Sequence, residues 1–208
     1  MATYDELMQI VRGRRSVHSY KDEAVDHEDV LKVMEAARWA PSSLNRQGWK
    51  FLVYEDRDFI WKLAAEVGVA LRHRAAGVPR IKPERLKDVI EYATAFARAP
   101  CLIVVLHQPA PFSQGDLLSD VPGADQVYGE PLSAAMAVEN MLLAARALKL
   151  GTCVMTAPLL VREVFEALPE RPKGFEITCL VSMGHPLDFP PAPERKGLEH
   201  LVEFGKGK

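Results

Sequence analysis

Residues 13–18 read Gly-Arg-Arg-Ser-Val-His, which sets two guanidinium groups, a hydroxyl and an imidazole almost side by side. Arginine presents a planar fork of N–H donors matched to phosphate, serine adds a hydroxyl donor, and histidine adds a further N–H or a positive charge. Each charge-assisted bond of this kind contributes about 1.5 to 3 kcal/mol. Arg14, Arg15, Ser16 and His18 therefore form a donor set suited to one small anion. A plainer reading stays open on spacing alone, because cations at the C-terminal end of a helix also offset its dipole.

A second polar group lies at 40–49, Ala-Pro-Ser-Ser-Leu-Asn-Arg-Gln-Gly-Trp. Pro41 ends a helical stripe, and Ser42, Ser43, Asn45 and Gln47 offer small donors, acceptors and free backbone amides to a ligand rich in heteroatoms. The same residues also make an ordinary turn.

Composition narrows the anion. Lys and Arg number 26 against 28 Asp and Glu in 208 residues, a net charge of -2, whereas nucleic-acid binding normally brings a basic surplus. No nucleic-acid partner is expected. Cys101, Cys153 and Cys179 are few, far apart and set in apolar runs, which predicts buried thiols in a reducing compartment. HExxH, paired-histidine and zinc-knuckle spacings are missing, so a metal has no support. The first residues carry acidic groups and no apolar leader, and no apolar run approaches a membrane span. The expectation is a cytoplasmic protein with no membrane partner.

The elements that must carry these groups follow from periodicity. Apolar positions predict a short helix over 4–11, a helix from the Asp26 cap to Pro41, and helices over 57–76 and 84–98. Strands are expected at 50–56, at 101–107 where "CLIVVLH" reads as buried on both faces, at 152–157 and at 175–186. "PLSAAMAVENMLLAARALKL" predicts a core helix over 131–150, stopped by Gly151 as a C-cap, and 159–168 reads as a shorter helix. Residues 108–129 read as a long loop and 188–208 as a proline-rich arm, in a single α+β domain over 1–208.

Taken together, "RRSVHSY", "AARWAPSSLNRQGW" followed by "KFLVYE", the later "AARALKLGTCVMTA" and the final "PERKGLEHLV" resemble the FMN-dependent nitroreductase family over almost the whole chain. The resemblance implies a nitroreductase-type fold: a central, mostly antiparallel sheet flanked by helices, in an intertwined homodimer with C-terminal arm exchange. It implies FMN as bound cofactor, NAD(P)H as electron donor and a small-molecule electron acceptor. Arg14, Arg15, Ser16 and His18 would hold the FMN phosphate and ribityl chain, with Arg195 of the tail completing that site. Pro41, Ser42, Ser43, Asn45 and Gln47 would reach the same flavin from the other subunit. Met155, Thr156 and Ala157 would run along its ring edge, and 108–129 would form a lid. No side chain is required as nucleophile or general acid, so none is assigned a catalytic role.

Three departures from the family pattern stand out. His18 replaces the more common Arg or Lys, and histidine titrates near neutrality where arginine does not. Gly48 replaces the proline of Gln-Pro-Trp and lifts a φ restraint. Thr156-Ala157 replaces Gly-Gly, which adds bulk beside the ring while leaving the backbone amides in place. The leading expectation is reduction of nitroaromatics, quinones or similar acceptors by a ping-pong mechanism. Reductive dehalogenation, flavin fragmentation, enone reduction and non-catalytic FMN binding are the alternatives. Outside these motifs, His107 and His185 read as structural, Cys153 as an inert thiol near the ring edge, Trp39, Trp49 and Trp61 as core or interface packing, and the basic stretch 72–87 as a solvated face.

Overall fold

The computed structural model describes residues 3–76, 78, 80–109, 129–205 and 207. Helix α1 (Tyr4–Gly13) begins at a capping box, in which the Thr3 hydroxyl accepts from Glu6 N and the Glu6 carboxylate accepts from Thr3 N. Helix α2 (His27–Arg38) is capped by Asp26, whose carboxylate accepts from Glu28 N. Strand β1 (Trp49–Tyr54) leads to α3 (Arg57–Ala76) and α4 (Pro83–Ala93), and β2 (Cys101–His107) follows. After α5 (Gly129–Ala147) come β3 (Gly151–Met155), the short α6 (Arg162–Glu166) and β4 (Glu176–Gly184).

The four strands form one sheet in the order β1-β2-β4-β3, with every described pair antiparallel. Side chains alternate across a strand, and β2 shows why its sequence is apolar from Cys101 to Leu106. Cys101, Ile103 and Val105 pack into one cluster with Val30, Val33 and Ala37 of α2 and Ala137 and Met141 of α5. Leu102, Val104 and Leu106 pack on the opposite face with Ile60, Leu63 and Val67 of α3 and with Phe96 and Phe165. All seven β2 residues are buried. This is an α+β fold, an antiparallel sheet with helices on both faces, and the expected fold class stands.

Several local expectations are corrected. Gly151 is not the cap of α5; it opens β3, and the left-handed residue that ends the helix is Lys149, with φ of 62°. Gly151 is small for another reason: a Cβ there would lie 2.8 Å from the Val17 side chain. The stretch 84–98 divides at Thr94 into α4 and a 3-10 turn, and 159–168 is covered by a 3-10 turn over Ala157–Val161 followed by α6. Trp39 and Trp61 are exposed rather than core, whereas Trp49 packs against the α2/α5 cluster. Of the expected loop 108–129, residues 110–128 lie outside the described residues, and Gly129 is the first residue of α5.

Candidate functional site

Helix α1 ends at Arg14, whose N–H still donates to Ile10 O at 2.9 Å, and the chain then leaves in extended conformation. It is stitched at once to the sheet edge. Val17 N donates to Thr152 O at 2.9 Å, and Ser16 bridges Thr152 in parallel register. The Tyr20 hydroxyl donates to Val17 O at 2.7 Å and lies 2.9 Å from Ser182 Oγ. Burial drives the Tyr20 phenol pKa upward, which keeps it a donor. Alternation then sorts the segment: Val17 is buried under the sheet edge, while Ser16 and His18 face outward.

Both arginines are half-buried, and the Nε atoms of Arg14 and Arg15 are buried with no hydrogen-bond partner among the described residues. Arg15 Nη1 donates to Arg12 O and Arg14 O, at 2.6 Å each, and no carboxylate pairs with either guanidinium among those residues. A buried donor left unpaired is costly, so this cradle suits an added acceptor. His18 Nε2 stands 3.9 Å from Cys153 Sγ. Burial raises the Cys153 thiol pKa, an effect the Ser16 hydroxyl partly opposes. Cys101 and Cys179, deeper in the core, are pushed up to about 12, so none of the three is a thiolate at neutral pH.

From Thr152 the edge strand runs to Met155, buried, and then to exposed Thr156 and half-buried Ala157. Three residues at about 3.3 Å each separate Thr152, beside the cradle, from the strand end at Met155, about 10 Å along one strand. Arg195 lies in the exposed tail and makes no hydrogen bond or ion pair among the described residues. The tail starts against the body of the fold, where the Arg146 guanidinium sits 4.1 Å from the Phe189 ring centroid.

The 41–48 segment is built differently. Leu44, Asn45 and Gln47 all have left-handed backbone, with φ of 50°, 53° and 50°. For L-residues this conformation costs about 1 to 2 kcal/mol each, least for asparagine. Ser42 Oγ accepts from Gln47 N at 2.9 Å, so its hydroxyl is partly committed to closing the turn. Pro41, Ser43 and Asn45 are exposed, and Asn45 and Gln47 border a recess of about 410 Å³ with Arg38, Trp39 and Ala40. Sequence reasoning passed over Arg46, whose Nε lies 3.4 Å from Oε1 of Glu130, a carboxylate only 3% exposed. No local signal in the sequence marks that pair, whose partners lie 84 residues apart.

The two polar groups do not meet within one chain. The 41–48 loop enters β1 at Trp49, in the row of His107, while Thr152 sits at the opposite edge in the row of Met183 and Cys101. Three strand spacings and six residues along β2 separate them, roughly 14 Å by 20 Å. The 155–157 segment shares the β3 edge with the cradle instead.

Residues 11–185 match the model of the nitroreductase family. The chain belongs to the nitroreductase family. The match covers the cradle, the 41–48 loop and β3, and ends at His185, before the tail. Among named nitroreductase-family relatives, an Archaeoglobus fulgidus protein provisionally called an NADH dehydrogenase/NAD(P)H nitroreductase is 28% identical over 88% of this chain and 87% of its own length. The iodotyrosine deiodinase of Thermotoga neapolitana is 27% identical over 95% of this chain and 97% of its own. Among solved structures, a BluB-like flavoprotein from Clostridium difficile 630 superposes with a TM-score of 0.82 at 25% identity, covering 97% and 99% of the two chains. A provisionally named nitroreductase from Desulfovibrio desulfuricans, solved in complex with FMN, gives 0.66 at 27% identity, covering 99% and 100%. No described helix of this nitroreductase-family chain is long and apolar enough to cross a membrane.

Proposed function

We propose that the protein is an FMN-dependent oxidoreductase, working as a homodimer, that takes reducing equivalents from NAD(P)H and passes them to a nitroaromatic, a quinone or a similar small acceptor. The observation that carries this reading is the Arg14/Arg15 cradle, with its unpaired buried Nε atoms, at the head of an edge strand that runs on to Met155, Thr156 and Ala157. FMN has a phosphate at one end and a flat ring at the other, and the spacing of cradle and strand end suits such a shape. When bound, it supplies hydride chemistry at N5.

The chain's own residues bind and orient. Arg14, Arg15, Ser16 and His18 hold the phosphate end, with Arg195 brought in by the tail. Backbone amides of 155–157 line the ring edge, and the added bulk of Thr156 and Ala157 narrows the space left for an acceptor. Because the 41–48 loop lies across the sheet from the cradle, Pro41, Ser42, Ser43, Asn45 and Gln47 serve the site of the second copy. Exposed apolar groups support that pairing: Tyr4, Leu7 and Val11 line α1, and Leu187, Leu198, Leu201 and Phe204 line the tail, Phe204 being 92% exposed. An arm over 188–208 that packs on its partner would cover them. Donor and acceptor would share one open ring face in turn, which gives ping-pong kinetics in this single-domain chain.

The test is direct. The purified protein should be yellow, and NADH or NADPH should bleach it without oxygen; a colourless dimer that ignores added FMN ends this reading. Reductive dehalogenation is the second reading, favoured by the similarity to proteins named iodotyrosine deiodinase in bacteria and mammals. Turnover of a nitroaromatic, a quinone and an iodinated phenol by the same reduced preparation separates the two. Release of iodide with no nitro or quinone reduction would favour the second.

A further inference from the structure

Glu130 is the second residue of α5 and one of the few charged side chains in the interior, only 3% exposed. Its Oε1 lies 3.4 Å from Arg46 Nε, and its Oε2 has no hydrogen-bond partner among the described residues. A carboxylate at the start of a helix gains from the helix dipole, yet that gain needs no burial. Burial of a half-satisfied carboxylate is expensive. Something in the surroundings must be shaped to accept it.

Gly48 is that shape. A Cβ on residue 48 would lie 2.9 Å from Glu130 Oε2, closer than carbon and oxygen tolerate without movement, and Gly48 is itself buried. The departure noted in the sequence thus has a steric partner: the chain lacks a side chain at 48 where the Glu130 carboxylate enters. Gly48 is fixed from the other side as well, because Gln108 N donates to Gly48 O at 2.7 Å and continues the β1/β2 ladder. Between the fixed end at Gly48 and the turn closed by Ser42 stand three left-handed residues, Leu44, Asn45 and Gln47. Strained backbone persists only where its surroundings over-determine it. Arg46, in the middle of this run, is the only member whose side chain reaches a buried charge among the described residues.

We infer that Glu130 is a positioning residue: through Arg46, and in the space left by Gly48, it pins the strained 42–48 loop in the shape that presents Asn45 and Gln47 to the cofactor. This rests on the FMN reading above, and the test separates the two. Glu130→Gln keeps the shape and removes the charge. In protein freed of flavin, trypsin cleavage after Arg46, located by mass spectrometry, should become about five- to tenfold faster while the thermal midpoint stays within a few degrees. FMN should bind about tenfold more weakly by flavin fluorescence, with kcat of the loaded enzyme nearly unchanged.

Arg46→Gln, cut from the more exposed end of the pair, should weaken FMN to a similar extent. The Glu130→Gln/Arg46→Gln double variant should be no worse than the poorer single one. Unchanged cleavage at Arg46 in Glu130→Gln overturns the pinning. Faster cleavage with unaltered FMN affinity, or losses that simply add in the double variant, overturns the positioning role while leaving the FMN reading intact. If the wild-type protein takes up no FMN, the cofactor reading and the positioning role fall together, and the cleavage comparison alone decides whether the loop is pinned.

Discussion

Ser16 to Lys21 is tied to the body of the fold by Val17 N to Thr152 O, Lys21 N to His185 O, Leu187 N to Ser19 O and the contact of the Tyr20 hydroxyl with Ser182 Oγ. Ser42 to Gly48 crosses a run of left-handed residues and is tied down by the Ser42 turn and the Arg46/Glu130 contact. The first segment takes its geometry from backbone ladders, which most side-chain substitutions leave alone. The second takes its geometry from a charge pair and a missing side chain, so a single atom can disturb it. On the proposed function, anion binding would rest on the segment held by backbone ladders, and adjustability on the other.

The largest expected effect attacks the rigid side. Replacing Arg14 and Arg15 together by alanine removes two charge-assisted donors and should weaken FMN by about 100-fold or more, read by flavin fluorescence, with a native circular-dichroism spectrum. An affinity within a factor of three of wild type would show that the cradle is not the anion site. Next in size is Arg195→Ala, for which about a three- to tenfold loss is expected if the tail completes the cradle. Undiminished occupancy would assign the tail to packing alone.

A smaller gain is expected from His18→Arg, about two- to fivefold tighter FMN binding and most evident above neutral pH, since arginine keeps its charge there. A dissociation constant unchanged across pH 6 to 9 would remove residue 18 from the phosphate site.

The smallest effect concerns the row where the loop enters β1. Burial lowers the His107 pKa, with Glu176 and Glu130 partly opposing that. Above about pH 6.5 the imidazole is neutral in folded and unfolded chains alike. Below it the unfolded chain takes up the proton first, so stability should fall as pH drops from about 6.5 towards the lower folded value. A thermal midpoint equally flat between pH 7 and 5 in wild type and His107→Gln would contradict this.

Much of this was legible in the residues. The run at 101–107 declared a strand covered on both faces, and the layers on either side of β2 bear that out. The segments at 13–18 and 40–49 were marked by their combination, since each alone also reads as a basic helix end or an ordinary turn. Gly151 misled, because glycine serves both helix ends and close packing, and only the distance to Val17 tells the two apart. The Arg46/Glu130 contact could not be read at all, because 84 residues separate its partners and only the antiparallel return of β2 brings α5 back beside the start of β1. Gly48 was visible as an oddity, but its meaning lay in a side chain from another helix.

The placement of cradle and loop at opposite borders of the sheet has a consequence for inheritance of defects. A chain crippled at Arg14 and Arg15 still carries a sound loop to lend, and a chain crippled at the loop still carries a sound cradle. If the centres are shared between two copies as proposed, two such inactive parents, mixed in equal amounts and allowed to exchange, would reconstitute about one quarter of the working centres, a form of complementation closed to any enzyme whose binding groups all come from one polypeptide.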